Sequence, residues 1–268
     1  MEEVINDRKL IEKCLSLAKE SSIIGGSILR SKFGKSLKIK EKSENDFVTD
    51  ADMLSEDRIV KFLRGKIDAD FLLEERRSDT NSKLVWMIDP LDGTQNFIRG
   101  IPIFCVSVAL VSSGDILVGV VYNPCNEEMF WSVKGRGAYK NKNKIRVSKK
   151  KKLHGSLLAT GFPFKCLDIL QNYLKSFEMF LSKVSGVRRM GSAAMDLCMT
   201  AEGKFDGFWE WGLSPWDIAA GALILKEAGG RITDFWGGDN WLAKGCVVGS
   251  NRMIHREMIN ITSKCFNL

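Results

Sequence analysis

The chain has 268 residues, 44% hydrophobic and 27% charged, a globular balance that gives length enough for one large α/β domain or two small ones. Much of the formal charge of +7 sits in local lysine runs, Lys140–Lys144 and Lys149–Lys152, with no interleaved aromatic stripe, which argues against a dedicated nucleic-acid binder. Met1–Glu20 lacks the pattern of a secretory signal and no apolar run approaches a membrane span, so a cytoplasmic protein with no membrane partner is expected.

In chain order, Val4, Ile11, Cys14, Leu15 and Ala18 mark an amphipathic first helix. A loop holding Asn45-Asp46 leads to Thr49–Asp52, where a second helix begins and runs to about Arg64; Asp and Thr sit where capping and the helix dipole favour them. Phe71–Leu73 is apolar and ends in Glu74-Glu75, and Leu84–Ile88 is a strand that enters Asp89-Pro90-Leu91-Asp92-Gly93-Thr94. An antiparallel region follows, with strands at Phe104–Val111, Ile116–Tyr122, Glu128–Val133 and Ile145–Val147. The second half alternates: strands at Leu157–Thr160, Val187–Met190, Gly207–Trp211, Ile232–Phe235 and Cys246–Val248, with helices at Ile169–Val184, Ser192–Ala201, Pro215–Ala228 and the C-terminus. This is an α+β pattern of stacked sheets and helices, and nothing divides residues 1–268 into separate domains.

The chemistry concentrates in acids. Asp89 and Asp92 straddle a stiffening proline, Gly93 permits close backbone approach, and a strand ending there can aim both carboxylates and the Leu91 carbonyl at one point. Those are the donors a hard divalent cation such as Mg²⁺ prefers, and a helix starting near Thr94 would offer free N–H groups to a phosphate. An Asp-rich turn with local hydrogen bonds is the bland alternative. Glu74 also ends a strand, and Asp217 lies in the first turn of the apolar helix Ile218–Leu225, where a dipole role is the competing explanation. Seven scattered cysteines without a C-x-x-C pair argue against disulfides and thiolate zinc, and His154 and His255 sit in no recognisable site segment. A two-metal, oxygen-ligand centre fits this set best.

The sequence resembles the inositol monophosphatase family, within it the bacterial subgroup that includes the extragenic suppressor protein SuhB. The residues that carry this are Asp89–Thr94, Trp216–Gly221 (W-D-x-A-A-G), Asp46–Asp52 (D-x-V-T-x-x-D), Ala159–Phe164, Gly191–Ala194 and Glu227–Gly230, in order over nearly the whole chain. The resemblance implies a layered αβαβα sandwich of the inositol monophosphatase/fructose-1,6-bisphosphatase type and Mg²⁺-dependent, lithium-sensitive hydrolysis of a small polyol phosphate, with inositol monophosphate the expected substrate. By the same resemblance, Glu74, Asp89 and the Leu91 carbonyl would hold one metal, and Asp89, Asp92 and Asp217 a second. Glu74 would also act in catalysis, with Thr94 and Asp52 orienting and deprotonating water. Asp92, Gly93, Thr94, Gly191, Ser192, Ala193, Glu210 and Asp217 would contact substrate, and Lys42 would match a nearby family lysine. A homodimer is implied, and the SuhB likeness also implies binding to the transcription machinery.

Two positions depart from the family pattern. Leu73 stands where glycine is usual before the paired glutamates, so a special backbone angle there would be strained, and Gln95 stands where Thr or Ser is usual. Sibling specificities for 3′-phosphoadenosine phosphate, fructose-1,6-bisphosphate or histidinol phosphate share the metal carboxylates, and only the substrate side separates them. Glu210, in Phe208–Gly212, is expected either to receive a polyol hydroxyl or to pair with Arg188 or Arg189.

Overall fold

Apolar residues at helical spacing build the first element. In the computed structural model, which describes residues 8–43, 46–76 and 82–266, helix α1 (Arg8–Lys32) buries Ile11, Cys14, Leu15, Ala18 and Leu29. Val4 and Asn45 lie outside the described residues. Strands β1 (Ile39–Ser43) and β2 (Asp46–Thr49) then pair as a hairpin where only a loop was expected. Every β1 side chain is exposed, so no apolar alternation announces it. Helix α2 (Asp50–Leu63) opens on a capping box: the Thr49 hydroxyl accepts the Ala51 N–H, and the Asp52 carboxylate accepts the Thr49 N–H at 2.9 Å.

Seven strands follow: β3 (Asp70–Leu73), β4 (Leu84–Asp92), β5 (Cys105–Ser112), β6 (Asp115–Asn123), β7 (Glu128–Val133), β8 (Ala138–Lys140) and β9 (Asn143–Ile145), with the short helix α3 (Thr94–Ile98) between β4 and β5. They form one sheet in that order, antiparallel at every step except β3–β4. The expected strand over Ile145–Val147 instead ends at Ile145, which is paired with Ala138, the first residue of β8. The remaining elements are β10 (Leu157–Thr160), α4 (Leu170–Leu181), β11 (Gly186–Arg188), α5 (Ala193–Ala201), β12 (Gly207–Trp211), α6 (Pro215–Glu227), β13 (Arg231–Thr233), α7 (Trp241–Lys244), β14 (Cys246–Ser250) and α8 (His255–Cys265). The second sheet runs β11-β10-β12-β14-β13. Strand β11 stops at Arg188, short of the expected Met190, and β13 stops at Thr233.

Strand alternation sets the layers. Val106, Val108 and Leu110 of β5 face a core shared with α1 and α2, whereas Cys105, Ala109 and Val111 face a middle core with α5 and α6. Helix α6 is buried continuously from Ile218 to Leu225 because sheets cover it on both sides. A third core, including Tyr173, Phe180, Trp209, Val248 and Met258, joins the second sheet to α4 and α8. The result is an α+β sandwich in five layers, αβαβα. Among the described residues no helix is long and apolar enough to cross a membrane. The seven cysteines are free thiols, and five of them are buried. His255 is buried too, its ring nitrogens bonded to the Thr233 and Ser250 hydroxyls at 2.9 and 2.8 Å.

Candidate active site

Strand β4 breaks its ladder where the acids lie. Asp89 pairs with Ser107 and Asp92 with Cys105, so Pro90 and Leu91 form a bulge that sets both carboxylates on one cleft. The Asp89 carboxylate accepts the Leu91 N–H at 2.8 Å, so the local turn bond offered as the bland alternative is also present. Gly93 has φ +98°, and a Cβ there would meet the Ile103 carbonyl oxygen at 2.9 Å; both the angle and the close approach require glycine. Immediately after it, the Thr94 hydroxyl lies 3.0 Å from the Leu91 carbonyl and 3.2 Å from Asp52 Oδ1. Asp52 itself receives the Thr49 hydroxyl at 2.5 Å.

Glu74 follows directly on β3, its N–H donating to the Ile88 carbonyl at 3.3 Å. Leu73 is a buried strand residue paired with Ile88 and has no left-handed backbone angle, so the expected strain is absent. Lys42, on the hairpin that sequence reasoning read as loop, reaches Glu74 Oε1 and Glu75 Oε1, both at 3.1 Å. Lys42 therefore does lie beside the acids.

From the other side, Ser192 caps α5 and donates its hydroxyl to Asp92 Oδ2 at 2.7 Å, joined by the Ala194 N–H at 2.8 Å. Asn96 donates to the carbonyls of Met190 and Ile103, both at 2.7 Å, and so ties the Gly191 loop to the Asp-rich turn. Nothing in the sequence marked Asn96 for that task beyond its place in a turn-and-helix segment. Asp217 stands at the third position of α6 and accepts the Ser214 N–H at 2.8 Å, so it does cap the helix; it also lines the cleft. Glu74, Asp89, Leu91, Asp92, Gly93, Thr94, Gly191, Ser192, Ala193, Glu210 and Asp217 all line that one cleft, while Asp52 stands behind Thr94. Among the described residues Glu210 has no ion pair: Arg188 donates to its neighbour's carbonyl, and Arg189 lies over the rings of Phe162 and Phe164.

Crowded acids alter one another. Burial, then the charges of Glu74, Asp92 and Asp217, holds Asp89 well above the usual carboxylate range. Burial first, with Asp92 and Glu74 adding, does the same to Asp217. Asp92 rises to about 6, with burial opposed by its bonds from Ser192 and Ala194. Asp52 rises to about 6 and Glu210 to about 8, burial again the leading cause.

A hard cation fits this donor set. The carboxylates and the Leu91 carbonyl are all oxygens, and Glu74 Oε2 is buried without a hydrogen-bond partner. Cys105, 3.9 Å from Asp92, is a soft donor, but burial pushes its thiol well up and keeps it protonated. Among the described residues no three acidic, His or Cys side chains are already closed around one point. The donors are gathered into one cleft rather than drawn into a cage.

Known proteins share this arrangement of the chain. Residues 10–266 match the inositol monophosphatase family. An inositol-1-monophosphatase from Mesorhizobium japonicum is 40% identical over 255 residues, covering 93% of this chain and 96% of its own. A protein named Nus factor SuhB from Pseudomonas aeruginosa is 41% identical over 230 residues, covering 83% of this chain and 85% of its own. The crystal structure of the extragenic suppressor protein SuhB from Bartonella henselae superposes with a TM-score of 0.90 at 37% identity, covering 94% of this chain and 98% of that one.

Proposed function

The chain belongs to the inositol monophosphatase family and is a phosphatase, and from that premise we propose that it hydrolyses inositol monophosphate to inositol and phosphate in a Mg²⁺-dependent, lithium-sensitive reaction. The observation that carries this reading is the meeting of Glu74, Asp89, Asp92 and Asp217 in the cleft where Thr94 contacts Asp52.

Glu74, Asp89, Asp92, Asp217 and the Leu91 carbonyl are the residues that would hold Mg²⁺. Bound there, Mg²⁺ would neutralise phosphate charge, make water more acidic and stabilise the leaving oxygen. The Thr94 hydroxyl takes a hydrogen bond from the attacking water while donating its own proton to Asp52, the nearby carboxylate able to receive it. Gly93 and Thr94 amides bind the phosphate oxygens. Gly191, Ser192, Ala193 and Glu210 line the hydroxyl-bearing side, where an unpaired carboxylate favours a polyol over an apolar ester. Water's oxygen bonds to phosphorus as the P–O ester bond breaks, without a phosphoenzyme, and residues 1–268 act as one domain.

Phosphate release from a panel of monoesters, with Mg²⁺ and with EDTA, tests the reading. Full activity in EDTA overturns the metal requirement. Preference for 3′-phosphoadenosine phosphate, fructose-1,6-bisphosphate or histidinol phosphate assigns a sibling specificity instead.

A second reading rests on the name of the Pseudomonas aeruginosa relative, a Nus factor: binding to the transcription machinery through the outer surface; the homodimer is proposed on the family resemblance alone. Under it, Asp89→Asn still captures RNA polymerase in a pull-down; wild-type protein that captures none retires it.

A further inference from the structure

Helix α2 buries three polar side chains on one face, Asp52, Ser55 and Glu56, each fully excluded from solvent. Each reaches a different segment of the cleft. Asp52 meets the Thr94 hydroxyl, and Ser55 donates to the Pro90 carbonyl at 3.1 Å. Glu56 Oε2 accepts the Glu75 N–H at 3.0 Å. Its other oxygen makes no hydrogen bond and lies 3.5 Å from Arg76 Nε, while Arg76 is also held by Asp57 at 2.5 Å.

A buried carboxylate is expensive, and an apolar residue in its place is often no worse for stability. The Glu56 bond has a specific geometric effect. The Glu75 N–H belongs to the same planar peptide as the Glu74 carbonyl, so holding it fixes that plane and the backbone from which the Glu74 side chain projects. The opposite side of Glu74 is fixed by its N–H bond to Ile88 on β4. We propose that Glu56 is a positioning residue for the phosphatase: by holding the Glu74–Glu75 peptide against α2, it aims the Glu74 carboxylate at the cation. The inference rests on the reading of Glu74 as a cation ligand.

The test is calorimetric titration of Mg²⁺ into folded variants, alongside kcat as a function of Mg²⁺. Glu56→Gln keeps an acceptor oxygen, and its Mg²⁺ affinity is expected within about twofold of wild type. Glu56→Leu removes the acceptor and Glu56→Asp withdraws it by one methylene; both are expected to weaken Mg²⁺ binding by about tenfold or more, the scale of one hydrogen bond to a charged group. Their kcat recovers at saturating Mg²⁺, which a general loss of folded enzyme does not produce. If the Leu variant does not fold, the Asp variant decides. Unchanged affinity in the Asp variant, or an equal loss in the Gln variant, overturns the inference. Wild-type protein that binds no Mg²⁺ overturns the metal reading and this inference together, so the two failures are distinguishable.

Discussion

The Glu210 carboxylate occupies the place where residue 161 would carry a side chain: a Cβ on Gly161 would lie 1.8 Å from Glu210 Oε1. Gly161 has no left-handed backbone angle, and the three atoms nearest such a Cβ all belong to the Glu210 carboxylate, the flexible end of a side chain and so the group that moves. Gly161→Ala is therefore expected to reproduce Glu210→Gln. Above pH 8, where the Glu210 carboxyl is ionised, both should lower turnover of inositol monophosphate about tenfold or more, the loss of one charged hydrogen bond worth roughly 1.5–3 kcal/mol. Hydrolysis of an aryl phosphate without hydroxyls should stay within about twofold. Equal losses on both substrates would place Glu210 in the framework of the cleft instead.

Asp89→Asn keeps shape and removes the charge that a bound cation would require from a buried group crowded by Glu74, Asp92 and Asp217. The variant should lose kcat by orders of magnitude yet melt no lower than wild type in EDTA, because without a cation burial and the neighbouring acids already disfavour the charged form that asparagine removes. The rise in Tm that Mg²⁺ gives wild type should be much reduced. A Tm in EDTA several degrees below wild type would mean the carboxylate mainly supports the fold.

Thr94→Ala tests the proton path. The hydroxyl contacts the Leu91 carbonyl and Asp52, so its loss should remove most turnover and leave Mg²⁺ affinity within a few fold. An unchanged kcat would reduce Thr94 to a helix-start residue.

Leu73 packs in the core beneath the sheet with a normal strand backbone. Replacing it with the glycine usual in the family should cost about 3 kcal/mol or more in urea unfolding, from lost burial and added chain freedom. A more stable Leu73→Gly variant would reveal strain at this position.

His255 has its pKa lowered to about 4, first by burial and then by Arg231, against 6.5 for an ordinary imidazole. The unfolded chain therefore binds a proton that the folded chain refuses. The stabilisation from the neutral ring is full above about pH 6.5 and is lost as pH falls towards 4, a swing of roughly 3 kcal/mol. Urea unfolding of wild type and His255→Gln should show the gap between them narrowing over that window. A constant gap would show that the ring does not titrate between the two states.

What could be read from the sequence was local. Asp89–Thr94 and the start of α6 declare their chemistry within six residues each, and the apolar runs of β5 and β6 on either side of the Ser112–Asp115 turn were enough to place a sheet. The β1–β2 hairpin escaped because all five residues of β1 face water, which leaves no apolar period to find. Contacts across the chain escaped for another reason. Glu56 with Glu75, Ser55 with Pro90 and Gly161 with Glu210 each join segments that only the layered packing brings together. One signal was available: Asp52, Ser55 and Glu56 interrupt an otherwise apolar face of Ala51, Ile59, Val60 and Leu63. Polar residues on a buried helical face call for partners.

The proposed ligands do not share one mechanical footing. Asp217 starts a helix enclosed between two sheets, and Asp89 lies within β4, a strand bonded on both sides, so opening either exposes the middle of the molecule. Glu74 hangs from β3, four residues long and at the sheet edge, paired among the described residues only with β4. Local unfolding of that edge costs less than unfolding the whole. Opening of that edge would release one carboxylate while the other three stay in place, so activity is expected to be lost on heating before the fold is.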